Sequence, residues 1–171
     1  MASLIEDLIT TLDSEVTEYS ALLELSKKKS AVIVSRDIAA LEKITDEEQV
    51  VMSRLATLDN KRADVTKDIA NVLNKDVESL KLSKLIGLLG KSPKEQKRLQ
   101  DIHDRLKSTV SMVRTLNESN RQLIDQSLEM VEFDLNMARS LRQAPQTNNY
   151  ARTAVNVGGM LGSFKGFDAK Q

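Results

Sequence analysis

The sequence predicts an all-α protein: an elongated antiparallel helical bundle, or coiled coil, of three long helices with a short connecting helix and a flexible C-terminal tail. Apolar residues recur at alternating steps of four and three over long stretches, the spacing that holds one seam of a helix against a neighbour. Composition agrees. Of 171 residues, 40% are hydrophobic and 29% charged, with two prolines, six glycines and no tryptophan, a profile that favours long helices over sheets. Helix-starting and helix-stopping residues also fall where the seams begin and end.

The first helix is expected to open at Ser3, with Glu6 three residues on as the partner in a capping box. Ile5, Ile9, Leu12, Val16, Tyr19 and Leu23 form its seam, continued by Ser26, Ser30 and Ile33. The triplet Ser35-Arg36-Asp37 breaks the pattern and supplies new caps. A second helix of some thirty residues follows, its seam running through Leu41, Ile44, Val51, Leu55, Leu58, Val65, Ile69 and Val72 with Glu48 and Arg62 as polar interruptions. From Asn74 to Gly90 the apolar residues are clustered rather than periodic, which suits a short connecting helix. Ser92-Pro93-Lys94-Glu95 then reads as a cap, a proline at the first helical position and a closing carboxylate. The third helix carries Leu99, Ile102, Leu106, Thr109, Val113, Leu116, Asn120 and Leu123 on its seam. It persists to about Leu141, roughly 49 residues or about 70 Å at the usual rise. Pro145 stops it, because a proline forces the residue before it out of helical geometry. Residues 1–142 are thus expected as a helical bundle domain and 143–171 as a flexible partner-binding tail.

Several functional classes find no support. The formal net charge is zero, and the tail carries Arg152, Lys165 and Lys170 against Asp168, so neither part has the strong basic bias of a nucleic-acid binder. No cysteine is present for a disulfide, a thiolate metal site or a nucleophile. The lone histidine, His103, lies one position off the seam, and Asp101 and Asp104 are expected to point elsewhere on the helix. Neither the carboxylates Asp46, Glu47 and Glu48 nor the Lys27-Lys28-Lys29 triplet carries more than a solvated helix face. No catalytic residue, cofactor, metal or small-molecule substrate is expected. No apolar stretch approaches the ~20 residues that span a bilayer, and no secretory leader is evident, so the expectation is a cytoplasmic protein without membrane insertion.

The end of the third helix departs from a single-seam pattern. Ile124, Leu128, Val131, Leu135 and Ala138 cluster on one side, while Leu123, Met130, Met137 and Leu141 extend the arc and Phe133 lies further round. The arc covers roughly 180°, interrupted by Ser127 and Asp134, whereas a helix serving one core needs about 100°. Such a segment is either central in its bundle or a surface for a partner helix, and flexible methionines suit an adaptable contact. The tail adds Tyr150, Val155, Val157, Met160, Leu161, Phe164 and Phe167, apolar groups of a size that usually marks a contact. Three of the chain's five aromatic residues lie there.

The sequence resembles the FlgN-type flagellar export chaperones. The likeness rests most specifically on "NRQLIDQSLEMVEF" followed by the tail tyrosine, and it extends over two long helices, a connector and a third very long helix. It departs from the family pattern in delaying glycine after Tyr150 until Gly158. The resemblance implies a small helical protein without enzymatic activity whose C-terminal region binds the C-terminal helices of hook–filament junction proteins and is associated with docking at the flagellar export gate. It implies that Leu128, Val131, Leu135 and Ala138 contact the exported protein and that Tyr150 is the family's tail tyrosine. The alternative from residues alone is a self-associating coiled-coil scaffold, a homo-oligomer whose third helices pair with one another.

Overall fold

The computed structural model describes residues 2–77 and 80–143. The expectations for the tail, including Tyr150, Val155, Val157, Met160, Leu161, Phe164 and Phe167, lie outside the described residues. Among those described there are helices and turns and no strand. Helix α1 is Ala2–Ser35, α2 is Ile38–Leu73, α3 is Leu82–Leu88 with a 3-10 turn after it at Leu89–Lys91, and α4 is Pro93–Gln143. The chain divides into two units, Met1–Leu128 and Glu129–Gln171.

Local chemistry explains most boundaries. Arg36 takes a left-handed conformation with φ of 56°. Asp37, in extended backbone, then caps α2 by accepting the Ala40 N–H at 3.0 Å. The far end of α2 closes on Asn74, whose φ and ψ of 52° and 47° place it in the left-handed region that asparagine tolerates best after glycine. Pro93 opens α4 as expected, at a position where its missing N–H costs no helical bond. The expected cap at Ser3 is not used, because α1 has already begun at Ala2. Glu6 instead reaches across to α4, where both its carboxylate oxygens accept from the Arg98 guanidinium at 2.7 and 2.9 Å.

Contacts between helices fix their directions. Residue numbers fall on α2 as they rise on α1: Glu15 meets Arg62, Glu18 meets Arg54 and Lys29 meets Glu48. These two helices are antiparallel. Pairs between α1 and α4, in contrast, keep a nearly constant separation of 90 to 94 residues, from Glu6–Arg98 through Asp13–Arg105 to Ser26–Asn117 and Ser30–Asn120. Helix α4 is therefore parallel to α1, and the three run up, down and up.

Two apolar clusters fill the first unit. Ile5, Leu8, Ile9, Leu12 and Val16 of α1 pack with Ile69 and Ala70 of α2, with Leu80, Leu85, Ile86 and Leu89 of the connector, and with Leu99, Ile102 and Leu106 of α4. The second joins Leu22 and Leu25 to Ile44, Val51, Leu55 and Val113. Helix α1 thus buries more than its predicted seam, because it touches both α2 and α4. Val72, assigned to the α2 seam, is exposed instead, and Ile69 and Ala70 take the buried positions. A straight helix drifts by about 20° per heptad relative to a strict seven-residue repeat, and near the end of α2 it is Leu73 that packs on the core that the connector completes.

Candidate partner-binding surface

The predicted surface residues that the structure describes all lie on α4. Leu128, Met130, Val131, Phe133, Leu135 and Met137 are exposed, from 41% at Val131 to 62% at Phe133, and Leu141 reaches 73%. Ala138 is exposed as well. The contrast within one helix is sharp, since Leu99, Ile102, Leu106 and Val113 at its other end are buried. A bundle-centre explanation for the wide arc requires these side chains to be covered, and they are not.

The polar interruption at Ser127 is satisfied within the helix, its hydroxyl donating to the Leu123 carbonyl at 2.8 Å. The hydroxyl does not need water there, so it does not divide the apolar face. Acidic Asp125, Glu129 and Glu132 are exposed around the arc, with Arg139 and Arg142 towards its end. Such an arrangement has the apolar face and charged rim that suit contact with an amphipathic helix.

Elsewhere the polar groups are structural. Asn120, the one amide on the α4 seam, is buried and donates from Nδ2 to the Ser26 carbonyl at 2.8 Å. Its Oδ1 accepts from the Ser30 hydroxyl, and Ser26 donates to Asn117 Oδ1 at 3.1 Å. This network pins one register of α4 on α1. The two polar interruptions of α2 also have partners. Glu48 pairs with Lys29 at 2.6 Å, and Arg62 stands 3.2 Å from buried Glu15. Burial pushes the Glu15 carboxyl above its ordinary pKa of 4.5, opposed by Arg62 and reinforced by Asp59.

His103 lies 3.1 Å from the Asp104 carboxylate through Nδ1, so Asp104 does not point elsewhere as the helical spacing suggested. Asp104 is held below its usual pKa, first by the Gln100 amide that donates to both its oxygens and then by His103. Among the described residues no cluster of three or more potential ligands stands ready for a metal ion. No helix among them is long and apolar enough to cross a membrane.

A family model described as FlgN protein matches residues 1–157. The chain belongs to the FlgN family. Its match takes in every helix described above and agrees with the resemblance carried by the α4 sequence. Comparisons with curated proteins and with solved structures give no match. FlgN membership makes the protein a flagellar export chaperone in the general sense, from a family known for chaperoning rather than for catalysis. Its general partners are flagellar export substrates. Among the described residues, an all-helical architecture with an exposed apolar helix end suits FlgN chaperoning.

Proposed function

We propose that this FlgN-family protein is a cytoplasmic chaperone that binds the C-terminal helices of hook–filament junction proteins, prevents their premature association and delivers them to the flagellar export gate. The observation that supports this reading is the exposed apolar run from Leu128 to Leu141. An amphipathic client helix would lie along it, covering Leu128, Val131, Leu135 and Ala138 with Met130, Met137 and Phe133 adapting at the edges. Residues 143–171 would act as the partner-binding tail, with Tyr150, Val155, Val157, Met160, Leu161, Phe164 and Phe167 as anchors. A stable complex of this kind usually buries about 800 Å² on each partner.

The test is a pull-down with synthetic C-terminal helices of candidate junction proteins, comparing the full chain with one ending at Gln143. The truncated chain is expected to keep its circular-dichroism helicity and lose the client. Equal capture by both would remove the tail from the mechanism, and capture of no junction helix by the full chain would reject the client class.

A further inference from the structure

Helices α2 and α4 both pack on α1, and between them run two open clefts. The first, about 480 Å³, is lined by Arg62 and Leu82 together with His103, Leu106, Lys107, Val110, Ser111 and Arg114 of α4. The second, about 360 Å³, has Leu22 and Lys29 of α1 at its base, Glu48 and Met52 of α2 on one wall, and Asn117, Asn120, Arg121 and Ile124 of α4 on the other. Along α4 these linings form one stripe, because residues 107, 114 and 121 recur every seven positions and share a face. The two clefts follow one another along that face of α4 inside the first unit and are together called the α2–α4 groove.

The charges of that groove are lopsided. Glu48, its one carboxylate, is paired with Lys29, and Arg62 is paired with Glu15 and Asp59. The two asparagines bond to α1. Lys107, Arg114 and Arg121 are exposed, and none lies within ion-pair distance of a carboxylate among the described residues, Lys107 acting on Asp104 only through its field. In a chain of zero formal net charge, an apolar channel edged by unpaired cations asks for negative charge.

We propose that the α2–α4 groove receives an acidic amphipathic helix of another protein, whose apolar side lies in the channel and whose carboxylates recur at seven-residue steps against Lys107, Arg114 and Arg121. Those three cations span about 21 Å of helix axis, so the guest helix has at least about fifteen residues. It completes a four-helix bundle, in which paired charges at the flank fix orientation. The chain's own tail is the poorer occupant, since Arg152, Lys165 and Lys170 outnumber Asp168 and meet like charge. The cleft linings end at Ile124, before the exposed run that starts at Leu128, and the inference does not rest on the client reading given to that run.

The test uses the full chain and a labelled synthetic helix with leucines at three- and four-residue steps and a glutamate at every seventh position. A twin peptide carries lysine in place of each glutamate. Fluorescence anisotropy is expected to show binding of the acidic peptide only. Lys107→Glu, Arg114→Glu and Arg121→Glu together should weaken it at least tenfold with helicity unchanged. High salt should do the same, as the screening length falls to about 3 Å near 1 M. Equal binding of the two peptides overturns the proposal, as does undiminished binding by the charge-reversed chain. So does loss of binding on Val131→Asp with Leu135→Asp, which would move the contact to the end of α4. Amine cross-links from Lys107 to Lys165 or Lys170 in the free chain would name the tail as occupant. A dimer by light scattering that the three reversals dissociate would name a second copy. Either result also rejects the acidic partner.

Discussion

Glu15 sits at a seam edge between α1 and α2 with 3% of its surface exposed, and its Oε1 lies at ion-pair distance from Arg62 without hydrogen-bond alignment. Glu18 Oε2 is in the same position against Arg54. Charge buried with incomplete hydrogen bonding is costly even when paired. The folded chain therefore holds the Glu15 proton more tightly than the unfolded one, whose value is near 4.5. Between that value and the raised folded one, the folded state binds more protons, so the contribution of Glu15 to stability falls as pH rises and is fullest below 4.5. The lowered groups act oppositely. Glu6, held down by the Arg98 hydrogen bonds, contributes above 4.5 and loses its contribution as pH falls. Glu15→Gln is expected to remove the first dependence, gaining on the natural chain as pH rises. Urea midpoints for both proteins from about pH 4 to about pH 7 check this, and parallel curves would clear Glu15 of the effect. Nothing in sequence spacing identified Glu15, because a carboxylate beside a seam reads as surface until a second helix is known to cover it.

At the scale of elements, the left-handed residues that end α1 and α2 carry much of the topology. Asn74 donates its backbone N–H to the Ala70 and Asn71 carbonyls, and Lys75 donates to Ala70 at 3.0 Å, turning the chain towards α3. A residue with a Cβ and no local hydrogen-bonding side chain costs about 1–2 kcal/mol in that conformation. Asn74→Ala should lower stability by about that much, while Asn74→Gly should match or exceed the natural chain. Equal losses from both would show that the asparagine side chain, not the backbone angle, matters there. Boundaries of this kind were legible: the break at Ser35 to Asp37, the start at Pro93, the short connector and the great length of α4 all follow from caps and spacing. The second buried face of α1 was less so. Leu8, Thr11, Leu22 and Leu25 lie beside the four-three seam rather than on it, and a repeat identifies one neighbour, whereas α1 has two. The signal was present in the extra leucines, which widen its apolar arc. The use of Glu6 was not readable, since its partner Arg98 is 92 residues away and the local capping pattern points elsewhere.

For the whole molecule, the decisive feature is that the folding clusters and the proposed client arc draw on different residues. The clusters that hold α1, α2 and α4 together draw on α4 from Leu99 to Val113, with Asn120 fixing register further on. The exposed arc from Leu128 to Leu141 belongs to neither cluster. Val131→Asp combined with Leu135→Asp should therefore leave the thermal midpoint within the range of ordinary surface changes, about 0.5 kcal/mol per site. A client helix that buries both side chains would lose about 1.5–3 kcal/mol of burial at each, and the two losses together should weaken capture of a junction-protein helix by at least about a hundredfold. The same variant separates chaperone from scaffold. If α4 ends pair with one another, light scattering will show the natural chain as an oligomer and the variant as a monomer, with no client needed to see the change. If the arc serves a client, the free chains will have equal mass and only the complex will be lost. A variant that unfolds, or one that keeps both its mass and its client, would instead mean that these exposed side chains do not carry the contact assigned to them.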